Sequence, residues 1–91
     1  MAGVVAVKIK IMPESIDTNL NSIREQAQKK LEEIGAKGTT FEEQPVAFGL
    51  KVLVVTFALS EDKSTDIAED VLKEVPGVSS VDIIDYRRAF G

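Results

Sequence analysis

The 91-residue sequence contains no cysteine and no histidine. The first absence excludes disulfides and thiolate metal sites, and it points to a reducing compartment. The second removes the commonest general base and the commonest metal ligand. Catalytic triads and thiol chemistry go with them. Long apolar runs are also missing: Val52 to Val55 is only four residues, against the ~20 that a membrane-spanning helix needs. Met1 to Met12 carries Lys8 and Lys10 inside an alternating pattern, which is not the layout of a signal peptide. A cytoplasmic protein without membrane contact is therefore expected. Positive charge is scarce, with 11 basic against 15 acidic side chains and a net charge of −4. That balance disfavours direct binding of nucleic acid, which draws on a basic patch. No glycine-rich phosphate loop is present, because Gly35, Gly38 and Gly77 stand singly where turns want them.

What remains is an ordinary folding composition. Apolar residues make up 44% of the chain, and its length suits one domain, read here as residues 1–91. Val5, Val7, Ile9 and Ile11 recur at period two with lysines between them, which predicts a strand stopped by Pro13. Asp17 or Thr18 is placed to cap a helix whose stripe is Leu20, Ile23, Ala27, Leu31 and Ile34, with Gly35 at its end. Thr39 to Val46 is β-prone but polar, with Phe41 as its main apolar residue, and predicts a short edge strand with Pro45 near its end. From Phe48 to Leu59 both alternating sets are mostly apolar, the pattern of a central strand. Ser64 or Thr65 can cap a second helix with the stripe Ile67, Val71, Leu72 and Val75, ended by Pro76-Gly77. Val78, Val81 and Ile83 mark a last strand running to about Tyr86. The order β-α-β-β-α-β predicts an α+β, ferredoxin-like sandwich: a four-stranded antiparallel sheet, first and third strands central, with two helices on one face.

Fold alone does not give function. The acidic pairs Glu32/Glu33, Glu42/Glu43 and Glu61/Asp62 are adjacent, so their side chains diverge and read as solvated surface. The first loop has no cysteine pair for a heavy metal. Glu14 and Asp17 make it negative, unlike the anion site of an acylphosphatase. Phe57 stands alone on its strand, where an RNA-binding sheet would present several aromatics. No catalytic residue, metal ligand or cofactor site is expected.

Three features stand out. Phe48 lies at a strand–strand junction beside Gly49, either as a core aromatic under the hairpin or as an exposed contact. Arg87 and Arg88 precede an apolar tail, either as solubilising charge or as a functional pair. Leu50, Val52 and Val54 form a row on the open sheet face, compatible with a weak homodimer contact or with plain β-propensity.

At these residues the chain resembles the guanine nucleotide exchange domain of the elongation factor 1-beta family, in its minimal archaeal form. The likeness runs through Val5 to Pro13, the junction Pro45-Val46-Ala47-Phe48-Gly49-Leu50-Lys51, and Gly77 to Ile83; the junction is the most specific part. The resemblance implies GDP/GTP exchange on elongation factor 1-alpha by binding, without covalent chemistry. It implies that Phe48, with Gly49 and Lys51 beside it, inserts into the GTPase, in its second domain. It also implies that a basic residue near the C-terminus enters the GTPase's magnesium site. In register that residue is Arg88, where eukaryotic relatives have lysine, and Arg87 is the alternative. From topology alone, the Phe48 junction and the arginines should lie at opposite ends of the sheet. The competing reading is a regulatory small-molecule-binding domain of the ACT type, acting as a dimer.

Overall fold

Alternation of β-branched residues with polar ones drives the first strand, β1 (Val4–Pro13), in which every second residue from Val5 to Pro13 is buried. The computed structural model describes residues 3–89. After β1 come helix α1 (Leu20–Glu33), strand β2 (Lys37–Pro45), a tight turn at Ala47–Gly49, strand β3 (Lys51–Ser60), helix α2 (Thr65–Lys73) and strand β4 (Val78–Ala89). The sheet order is β2-β3-β1-β4 and every neighbouring pair is antiparallel. The ferredoxin-like arrangement predicted from periodicity is thus observed, with β1 and β3 in the middle.

The core lies between the sheet and the two helices. Val5, Val7, Ile9 and Ile11 of β1 sit directly across from Leu59, Phe57, Val55 and Leu53 of β3. These side chains are at most 1% exposed and pack with Ile23, Ala27 and Leu31 of α1 and Ala68 and Leu72 of α2. Each such aliphatic or aromatic side chain contributes roughly 1.5–3 kcal/mol on burial.

Several local expectations need correction. Asn19, not Asp17 or Thr18, caps α1: its side-chain oxygen accepts a hydrogen bond from Ser22 N at 3.2 Å. Thr18 is occupied instead in the β1–α1 loop, where its Oγ1 accepts from Ser15 N at 3.1 Å. The predicted cap Ser64 does close the start of α2, accepting from Asp66 N. The buried stripe of α2 is Ala68 and Leu72, while Ile67 is 42% exposed. The helix turns its small residue inward because α2 packs closely on both α1 and β4. Strand β3 begins at Lys51, leaving Phe48 to the turn and Leu50 just outside the strand.

Val52 and Val54 face away from the helices yet are 1% and 2% exposed. Across from Val54 stand Lys10 on β1 and Glu42 on β2, and across from Val52 stands Gln44. Long polar side chains at such neighbouring positions can cover a valine with their stems while keeping their heads in water. The two valines therefore present no apolar strip.

Strand β4 also runs three residues past its predicted end. Between Ile83, opposite Ile9, and Asp85, opposite Lys8, Ile84 is an extra residue. This is a β-bulge, and it shifts the alternation of everything that follows.

Candidate functional site

The β2–β3 connection is built by two successive residues with positive φ. Phe48 has φ 62° and ψ 31°, and Gly49 has φ 77°. Leu50 N donates to Ala47 O at 3.3 Å, and Val46 N donates to Leu50 O at 2.7 Å. Two left-handed central residues are the signature of a type I′ hairpin turn, which usually takes Asn-Gly. Phenylalanine is the only described non-glycine residue with positive φ, and holding a side chain there costs of order 1–3 kcal/mol.

The ring gains nothing in return within the chain. Phe48 is 99% exposed, so it is not the core aromatic that periodicity left open. An exposed aromatic held in a strained conformation is a feature that packing does not explain. Lys51 follows at the start of β3, its Nζ 4.0 Å from Glu43 Oε1 and its side chain more than half exposed. At this same end the β1–α1 loop exposes Ile16. A shallow cavity of ≈ 180 Å³ separates that loop from the turn, lined among others by Ile16, Thr18, Gly49 and Lys51.

The two arginines lie at the other end. Arg87 is across from Ala6 and Arg88 is across from Val5, near the start of β1. Opposed residues in an antiparallel pair share a face, so Arg88 is on the helix side with Val5 and Arg87 is on the open side. Each has its own acid: Arg87 Nε is 3.2 Å from Asp85 Oδ2, and Arg88 Nε is 3.3 Å from Glu61 Oε2. Both arginine side chains are more than three-quarters exposed. Continuing the β1–β3 register puts Lys51 opposite position 13, eight residues along β1 from Val5, or ~27 Å at the rise of a strand. The molecule is 45 Å in its longest dimension. The site residues thus form two clusters, Phe48, Gly49 and Lys51 at one tip and Arg87 and Arg88 at the other. They do not form one pocket.

A family model described as the EF-1 guanine nucleotide exchange domain matches residues 6–89. The chain belongs to that family. It is 39% identical over 87 residues to Elongation factor 1-beta of Methanosarcina barkeri, covering 94% of this chain and 98% of that one. It is 40% identical over 91 residues to Elongation factor 1-beta of Methanocella arvoryzae, covering 99% and 100% of the two chains. The likeness extends to Sulfurisphaera tokodaii, at 34% identity over 86 residues. Membership in the EF-1 guanine nucleotide exchange domain family supports a nucleotide-exchange role in translation elongation, and it favours that reading over the ACT-type alternative. None of the helices among the described residues is long and apolar enough to cross a membrane.

Sequence reasoning did not mark Ile16, 65% exposed in the first loop, and it read Glu61, the partner of Arg88, only as solvated surface. Ile16 carried a signal, as a lone aliphatic within Glu14-Ser15-Ile16-Asp17-Thr18. Glu61 carried none, because its pairing depends on which face Arg88 occupies.

Proposed function

We propose that residues 1–91 act as a single exchange domain that releases GDP from elongation factor 1-alpha, by binding and without covalent chemistry. The observation that best supports this reading is the Phe48 ring, 99% exposed on a left-handed turn, with two arginines at the far end of the same sheet. Exchange needs no bond-making in this protein. It needs tighter binding to the nucleotide-free GTPase than to the loaded one, and linkage then weakens the GTPase's hold on nucleotide by the same factor.

In this reading Phe48 enters an apolar pocket in the second domain of the GTPase. Gly49 lets the turn close and Lys51 flanks it. At the other tip Arg88 approaches the magnesium site and substitutes its fixed charge for that of the ion. A guanidinium is a planar fork rather than a point charge, so it would engage carboxylate or phosphate oxygens in pairs. The sheet holds the two contacts a set distance apart, so both must be satisfied together.

The test is release of a fluorescent GDP analogue from elongation factor 1-alpha on mixing with the chain. Phe48→Ala should slow release by about tenfold or more, as loss of an aromatic anchor does. Arg88→Ala should slow it several-fold, and both variants should keep the parent far-UV circular dichroism. Parent rates in both variants would end the mechanism.

A further inference from the structure

The turn after β3 carries Glu61, whose backbone N–H donates to Gly3 O at 2.9 Å. Its carboxylate lies against the bare Cα of Gly3: a Cβ built at position 3 would meet Glu61 Oε2 at 2.5 Å. That same oxygen is 3.3 Å from Arg88 Nε. The carboxylate is the more sheltered partner, at 32% exposure against 77% for the arginine side chain. Three observations therefore converge on one residue. The backbone bond fixes the turn, the missing side chain at Gly3 makes room, and the arginine takes up the charge.

We infer that Glu61 is a positioning residue for Arg88, seated by Gly3, and that it holds the guanidinium extended at the arginine tip. The inference rests on the proposed role of Arg88 in exchange. A free arginine side chain samples many rotamers, and fixing it on binding costs entropy. Holding it beforehand removes part of that cost, the general gain from preorganisation. The contact is made through Nε, one of five N–H donors of the fork, so the terminal amino groups stay available for a second anion. Arg87 is held as well, but from within its own strand: its Nε is 3.2 Å from Oδ2 of Asp85, two residues away, and donates to Oδ1 at 3.4 Å. What sets Arg88 apart is that its acid comes from a different element, the turn after β3, and is itself seated against Gly3.

The experiment is a double-mutant cycle on release of the fluorescent GDP analogue, with the factor at sub-saturating and saturating concentrations. Exposed ion pairs contribute little, so Glu61→Gln should slow release by about 1.5- to 5-fold at sub-saturating factor. In the Arg88→Ala background the same change should have no further effect. Gly3→Ala, which keeps every charge but displaces the carboxylate, should slow release in the same way. A merely structural role for Glu61 would give equal losses with and without Arg88. Equal losses, or an E61Q variant as fast as the parent while R88A is slow, would overturn the inference and leave the exchange mechanism standing. Parent-rate release by R88A would instead remove the role of Arg88, and the positioning of it as well.

Discussion

Replacing Phe48 by glycine should make the protein more stable and a poorer exchange factor at the same time. The residue stands at φ 62° and ψ 31° with its ring 99% exposed, so truncation removes strain and almost no packing. Left-handed backbone costs a residue with a Cβ of order 1–3 kcal/mol. Glycine avoids that cost but loses an extra ~0.5–1 kcal/mol of chain entropy on folding. The net gain is about 1 kcal/mol, which for a domain of this size raises Tm by ~4–8 °C. Phe48→Ala is the control. Alanine keeps the φ penalty and loses only the ring, so its stability should match the parent within ~0.5 kcal/mol. Urea or thermal unfolding of the three proteins, run beside the nucleotide-release assay, separates the two effects. Both variants should exchange slowly, but only the glycine form should melt higher. If F48G melts at or below F48A, the ring is not held against the backbone's preference, and the strained turn is no sign of a binding function. A higher Tm with lost exchange would be a local case of stability traded against activity.

Other perturbations read different parts of the fold. Asn19→Ala removes the acceptor at the start of α1 and should lower unfolding free energy by about 0.5–2 kcal/mol, measured by urea titration. Gly77→Ala places a Cβ 2.9 Å from Thr18 Cγ2 at φ 91° and should destabilise by ~1–3 kcal/mol. A neutral result there would mean that position 77 leaves the left-handed region and the β1–α1 loop shifts with it. Phe57→Ala empties a core position that is 1% exposed and should cost about 3–5 kcal/mol, with a proportionate fall in the denaturation midpoint.

The element order and the two central strands were legible because the apolar pattern is strong where strands meet a core: Val5, Val7, Ile9 and Ile11 recur at period two, and Leu53 to Leu59 is mostly apolar on both faces. Choices between near-equivalent neighbours were not. Asp17, Thr18 and Asn19 all have capping side chains, and the winner depends on where the loop's own hydrogen bonds fall, with Thr18 already bound to Ser15. Ile67 outranks Ala68 in hydrophobicity, yet close packing of α2 favours the smaller side chain inside. Phe48 was ambiguous because a large aromatic ordinarily seeks a core. Its exposure follows from a turn that projects beyond the last sheet pairing, Pro45 with Lys51. Strand β4 was underestimated because Arg87-Arg88 reads as a charged tail, whereas both residues pair with β1. The placement of the two tips followed from topology, which needs only element order and antiparallel pairing.

The surplus residue at Ile84 sets the parity of the C-terminal segment. Counting by twos from Val81 and Ile83 would put Arg87 on the helix side and Arg88 on the open side; with one residue looped out, the assignment is the reverse. Deleting Ile84 would exchange the addresses of the two guanidinium groups without altering charge or composition downstream. A single unpaired isoleucine, three and four positions upstream of them, is thus what directs each arginine to its side of the sheet.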